Sequence, residues 1–274
     1  MRARVLVSFL VLASLAAGHS GLAADRDGSP AVLVELFTSQ GCSSCPPADR
    51  LLAKLAREGR IDGIEVIPLA FHVDYWNYIG WQDPFSSEAW SNRQRAYATA
   101  MGLDTIYTPQ VFLNGNRQIV GADERQVRRQ IRQVAVGRPA IDLELQVIEI
   151  TADGALRVEV AASVPSGALG NRTLGLLALF QDKLVTPVSR GENARRTLEN
   201  ERVVRELRAV LEFPAAKAAT AREIVELSLA PEWPVEDLGL VLFLQDPRSM
   251  EVLGATAMRL DRRDVEAVAN RDSR

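Results

Sequence analysis

Cysteine and histidine are nearly missing from this 274-residue chain, which holds two of each. Two cysteines exclude a small scaffold stapled by several disulfides. His19 falls in the N-terminal leader, so His72 alone remains beyond it, and a closed Cys₂His₂ zinc site is out of reach of a monomer. Lysine is scarce, and the 32 Lys and Arg are outnumbered by 35 Asp and Glu, for a formal charge of −3. Arginine is spread among acids without long runs of one sign, so no basic face points to a nucleic-acid partner. Beyond the leader no apolar run is long enough to span a membrane, and there is neither an internal repeat nor a low-complexity segment.

The leader itself is informative. Arg2 and Arg4 precede the uncharged apolar run 5–17, and small residues follow up to Ala23 and Ala24. The run is shorter than the roughly 18–20 residues of a spanning helix. Residues 1–24 therefore read as a cleaved signal peptide, with an uncleaved anchor as the alternative. The expected location is periplasmic or secreted, with no membrane association after cleavage.

Residues 31–37 (AVLVELF) form an almost continuous apolar run, the pattern of a buried parallel strand. A turn carries Cys42 and Cys45, and residues 48–57 then read as a helix with Leu51, Leu52 and Leu55 on one face and Gly59 at its end. Pro46 and Pro47 fit only at the helix start, where a missing N–H costs little. Residues 63–72 (GIEVIPLAFH) give a second strand, so the three pieces form a βαβ unit. An irregular aromatic segment, 73–85, leads to a helix over 86–101, a strand at 110–113 after Thr108-Pro109, a hairpin partner at 117–120 and a helix over 123–136. Gly137-Arg138-Pro139 marks the expected boundary. Beyond it, strands are predicted at 141–150, 156–162, 173–181, 224–229, 239–245 and 252–259, with 203–210 readable as strand or helix. The short strands and few helices suggest a sandwich. The organisation read from the chain is thus 30–136, then 140–262 as a β-sandwich-like domain, then a charged tail, 263–274.

A pair of cysteines three residues apart staples no distant loop, and in an exported chain it reads as a redox pair or half a metal site. Cys42 belongs just before the first turn of a helix, where unpaired N–H groups and the helix dipole favour its thiolate. Cys45 lies one turn later and is better shielded. Cys42 is therefore the expected attacking thiol and Cys45 the resolving thiol.

The strand–Cys42-Ser43-Ser44-Cys45-Pro46–helix arrangement, with Thr108-Pro109 leading into residues 110–115 (QVFLNG), resembles the thioredoxin superfamily. That resemblance implies an α/β thioredoxin-like domain over 30–136, followed by the smaller all-β domain. It also implies a cis Thr108–Pro109 bond against the cysteines, a Thr108 backbone able to bind extended substrate, and a buried acid, Glu35, able to take the Cys45 proton. Residues 34–49 (VELFTSQGCSSCPPAD) and 72–85 (HVDYWNYIGWQDPF) are similar to a bacterial family, domain of unknown function 1223, described as secreted and thioredoxin-like. Gly191-Glu192-Asn193, Arg196-Thr197-Leu198 and Phe243-Leu244-Gln245-Asp246 extend the likeness over most of the chain. The sequence departs from ordinary thioredoxins in placing Gly41 before Cys42, in the Ser43-Ser44 pair, and in the long gap from Cys45 to Pro109.

Other neighbours remain open on the residues alone. Glu35 suits an arginine pair or a sheet surface as well as proton transfer. His72 and Asp74, at the carboxyl end of the second strand, are candidates for a base, a thiolate partner or a metal ligand, and equally for ordinary strand-end bonding. Tyr75, Trp76 and Trp81 suit a substrate groove or packing against the following helix. The leading expectation is an exported thiol–disulfide oxidoreductase acting on a thiol- or disulfide-containing protein or a small thiol, with no cofactor. Its rivals are a soft-metal site such as Cu(I) on Cys42, Cys45 and His72, and a non-enzymatic binding module.

Overall fold

The apolar run at the start of the described chain forms β1 (Ala31–Thr38), whose residues are buried on both faces after Ala31. In a computed structural model of the chain, the described residues are 30–136, 141–151, 153–215 and 218–261. The expected signal peptide, the Gly137-Arg138-Pro139 boundary and the charged tail lie outside them. After β1 come α1 (Pro46–Glu58), β2 (Arg60–Ile61), β3 (Ile64–His72), α2 (Glu88–Met101), β4 (Gln110–Leu113), β5 (Arg117–Val120) and α3 (Glu124–Val134). The second half supplies β6 (Asp142–Ile150), β7 (Ala155–Val164), β8 (Thr173–Gln181), β9 (Leu184–Pro187), β10 (Thr197–Asn200), β11 (Val203–Phe213), β12 (Ala219–Ser228), β13 (Leu238–Gln245) and β14 (Val252–Arg259).

The expectation of an α/β thioredoxin-like domain followed by a smaller all-β sandwich-like domain is overturned. The described chain is mostly β, with three α-helices. Its main feature is one mixed nine-stranded sheet in the order β14-β13-β8-β11-β3-β1-β4-β5, with β2 also pairing β3. The βαβ unit is present: β1 and β3 are parallel neighbours, with Thr38 opposite His72. The far edge of β3 is occupied by β11 through the Val203–Ala70 bridge. From there β11, β8, β13 and β14 extend the sheet in antiparallel steps.

The physical reason is visible in β13, LGLVLFLQ, which is buried at every position. Such a strand needs neighbours on both edges and cover on both faces. It gets them by lying between β8 and β14. A three-stranded sheet, β12-β7-β6, covers one part of this extension through a core that includes Leu156, Val158, Leu211, Leu240 and Leu242.

Around β1 and β3, strand alternation divides the interior in two. Val34, Leu36, Val66 and Ala70 face Leu52 and Leu55 of α1 and Val127 and Ile131 of α3. Leu33, Phe37, Ile67 and Phe71 lie in a second core with Trp90 and Tyr97 of α2. The two faces carry different polar groups.

Candidate cysteine site

β1 ends at Thr38, and the chain turns through residues 39–45 into α1. The turn is held by Cys42 N donating to Ser39 O (3.2 Å) and Cys45 N donating to Cys42 O (3.2 Å). Cys45 is the N-cap residue, with Pro46 and Pro47 at the first helical positions. Cys42 and Cys45 are joined by a disulfide with their Cα atoms 5.4 Å apart. Both cysteines are fully buried, whereas Ser43 and Ser44 between them are exposed. The Ser44 hydroxyl lies 3.3 Å from Cys42 Sγ.

Thr108–Pro109 is cis, and the Thr108 carbonyl oxygen lies 3.8 Å from Cys42 Sγ. Trp76 Nε1 donates to Thr108 Oγ1 at 2.7 Å, fixing this residue from the aromatic segment. The same tryptophan covers Gly41, where an added Cβ would meet Trp76 Cβ at 3.1 Å, so a larger residue before Cys42 would push the aromatic segment away.

Three further ionisable groups lie on the α1 face. His72 ends β3 on the same face as Thr38, and Asp49 follows Cys45 by one turn of α1. Thr38 Oγ1 donates to Asp49 Oδ1 (2.7 Å). Asp83 Oδ2 bonds His72 Nδ1 (2.7 Å) and accepts from Gln40 N (2.8 Å). His72 Nε2 is buried without a hydrogen-bond partner among the described residues. Burial pushes the Asp49 carboxyl up to about 6, partly opposed by the His72 charge and the Thr38 hydroxyl. For His72, burial works downward, but the charge and hydrogen bond of Asp83, with Asp49 behind them, hold it above the ordinary histidine range. Asp83 is pushed up by burial, yet His72 and the amides of Gln40 and Phe85 bring it below the ordinary carboxylate range.

The other sequence-derived candidates disperse. Glu35 lies on the opposite face of β1, where Arg93 Nη2 donates to it at 2.6 Å and the Tyr97 hydroxyl also bonds it. Arg93 is further held by Gln245 Oε1 at 3.1 Å, and its guanidinium lies over the rings of Phe71, Tyr97 and Phe243. Asp74 accepts from the Ser91 hydroxyl at the start of α2. The Tyr75 hydroxyl donates to Gln94 of α2, and Trp81 Nε1 donates to Gln40. Among the described residues, no three His, Cys, Asp or Glu side chains are grouped to hold a metal ion.

Two contributors come from the far half of the chain. The buried Asn193 Nδ2 donates to both Gln40 O and Cys42 O, each at 2.9 Å. Glu192 Oε2 accepts from Ser43 N at 3.0 Å. Gln40 completes the junction by donating to Thr186 Oγ1 of β9 and Asn200 Oδ1 of β10. Sequence reasoning overlooked Thr38, Gln40, Asp49, Asp83 and the docking of Glu192 and Asn193 on the cysteine turn. Only Asp49 had a local signal, its four-residue spacing from Cys45.

A cysteine turn held by both halves of one β-rich chain thus defines the class of protein. The profile of the family described as Protein of unknown function (DUF1223) matches residues 33–245, and the chain belongs to that family. No match is found among the curated proteins. Among solved structures, the chain is similar to protein AGR_C_4864 from Agrobacterium tumefaciens at 27% identity and a TM-score of 0.62, covering 83% of this chain and 93% of that one. HBP35 of Porphyromonas gingivalis is similar in fold, with 14% identity, a TM-score of 0.65, and 87% and 78% covered. No helix among the described residues is long and apolar enough to cross a membrane.

Proposed function

We propose that the protein is an exported thiol–disulfide oxidoreductase centred on Cys42 and Cys45. The observation that carries this reading is the position of the Cys42–Cys45 disulfide at the start of α1, with Cys42 Sγ 3.8 Å from the Thr108 carbonyl. The helix start favours a thiolate at Cys42 once the bond is reduced. A relation to the thioredoxin superfamily belongs to this proposal at the level of the site, supported by the C-x-x-C turn and the cis Thr108–Pro109 bond. The leader 1–24 supports export to the periplasm or beyond, where a disulfide persists.

In the reducing direction, the Cys42 thiolate attacks a substrate disulfide. One S–S bond forms, one breaks, and the first substrate thiol leaves. Cys45, as thiolate, then attacks Cys42 Sγ, releasing the second thiol and restoring the Cys42–Cys45 bond. Two electrons pass to the substrate, which is a disulfide-containing protein or small molecule. Run in reverse, a substrate dithiol is oxidised. Asp49, one turn beyond Cys45 and with its carboxyl pushed up to about 6, is suited to exchange a proton near the resolving thiol. Insulin reduction with a dithiol donor tests the reading. Cys42→Ser abolishes turnover; activity retained by that variant overturns the proposal.

A further inference from the structure

The turn between β9 and β10 does more than bury the cysteines. Asn193 is fully buried and spans two carbonyls of the cysteine turn, Gln40 O and Cys42 O. Arg196 Nη1 donates to Asn193 Oδ1 at 3.0 Å, which fixes the amide so that its NH₂ points at those carbonyls. Gly191 has φ +75°, and a Cβ there would meet Trp81 Cβ at 3.1 Å, so the turn needs glycine to approach. This anchoring sets the next side chain, Glu192, on the backbone amide of Ser43, the residue bonded to Cys42.

We propose that Glu192 is a positioning residue of the thiol chemistry: it occupies the Ser43 amide and places a carboxylate beside Cys42, so that the Cys42 thiolate is disfavoured and the disulfide form is held in preference. This rests on the thiol–disulfide reading given above. A carboxylate bound to the amide next to an attacking cysteine opposes the build-up of negative charge at that cysteine by like-charge repulsion. Asn193 anchors the arrangement, because its two bonds tie the turn to the cysteine backbone. Other ionisable groups around the cysteine turn include Asp49 and Arg50 from α1, His72 from β3, Asp83 from the aromatic segment, Arg205 from β11 and Arg196 from the β9–β10 turn, and Glu192→Gln alters none of them.

The test uses the full chain reduced with a dithiol. The ultraviolet absorbance of the Cys42 thiolate, in a Cys45→Ser background so that one thiol is read, is followed against pH with Glu192 intact and as Glu192→Gln and Glu192→Asp. Gln keeps an acceptor for the Ser43 amide and removes only the charge. Its Cys42 profile is expected to move down by ~0.5 pH unit, more at low ionic strength than high, because an exposed charge is screened. The glutathione equilibrium is expected to move about threefold towards the reduced form in step with it. Glu192→Asp stays closer to the wild-type profile. A profile unchanged in Glu192→Gln overturns the inference, as does an equal shift in Glu192→Asp. Absorbance needs neither an exchange partner nor reagent access, so a wild type inactive on insulin counts against the functional proposal and leaves this reading to its own measurement.

Discussion

Two polar networks are buried back to back on β1 and β3, and they are built on opposite terms. On the α2 face, Glu35 meets Arg93 at 2.6 Å, and Tyr97 and Gln245 complete the bonding of both charges. On the α1 face, beside the cysteine turn, Asp49 has the Thr38 hydroxyl but, among the described residues, no direct cation, and His72 leaves one nitrogen without a partner there. Burial is nearly equal, since Glu35 and His72 are each 1% exposed. What differs is compensation. A buried charge with a matched partner is costly to unpair, whereas a buried carboxyl with incomplete partners is pushed into the range where it exchanges protons. The first network fastens β1 to α2 and β13; the second lies where thiol chemistry would need a proton acceptor.

The largest expected effect is on the compensated side. Glu35→Ala leaves the Arg93 guanidinium buried and unpaired, and is expected to lower unfolding stability by about 3–5 kcal/mol in urea titrations. Arg93→Ala costs a similar amount for the mirror reason. The double variant Glu35→Leu/Arg93→Met removes both charges and is expected to recover most of the loss. A single-variant cost below ~1 kcal/mol, the scale of an exposed pair, breaks the comparison on this side.

On the other face the signature is pH. The folded Asp49 carboxyl, pushed from 3.8 to about 6, binds its proton more tightly than the unfolded chain does. It therefore carries no penalty at low pH and costs stability as pH rises from about 4 through about 6, up to ~3 kcal/mol by pH 8. His72, raised above 6.5, contributes stability that is present below that value and lost as pH rises through its folded one, so it acts in the same direction. Asp83, lowered below 3.8, contributes stability above that value and loses it only as pH falls through its folded one. Asp49→Asn is expected to stabilise the protein at pH 8 by up to ~3 kcal/mol and to change little at pH 4. Equal effects at both pH values would remove the distinction between the two networks.

Much of this was legible in the sequence, and the part that was not has a common cause. The strands at 110–113, 117–120, 173–181 and 252–259 lie where periodicity puts them, because each is specified by its own residues. The Cys42–Cys45 pair is legible in the same way, whereas the cis Thr108–Pro109 bond follows only from the resemblance to the thioredoxin superfamily. The fold class fails because it depends on a pairing between Val203 and Ala70, more than a hundred residues apart, for which no local pattern exists. A clue was present in residues 239–245 (GLVLFLQ), whose unbroken apolar run marks a central strand covered on both faces rather than the alternating strand of a free sandwich. The site divides along the same line. Asp49 is readable from helix spacing, whereas Asp83, Glu192 and Asn193 reach the cysteine turn only through tertiary docking.

The smallest of these changes is the sharpest test of the contrast. Thr38→Val keeps the shape of the side chain and deletes the one hydroxyl that bonds Asp49. That bond favours the ionised carboxyl, so its loss is expected to move the Asp49 titration above its present value of about 6. Stability is expected to fall by about 1–2 kcal/mol at pH 8, where the carboxyl is charged, and by less at pH 4, where it is neutral. The matched deletion on the opposite face is Tyr97→Phe, which removes a hydroxyl from Glu35. Glu35 there still accepts from Arg93 Nε at 2.9 Å and Nη2 at 2.6 Å, and the guanidinium is charged throughout this range. Tyr97→Phe is therefore expected to cost about 1–2 kcal/mol at pH 8, with the Arg93 pairing left in place. If urea midpoints show Thr38→Val costing as much at pH 4 as at pH 8, the Thr38 hydroxyl does not favour the ionised Asp49 carboxyl, and the division drawn between the two faces of β1 fails.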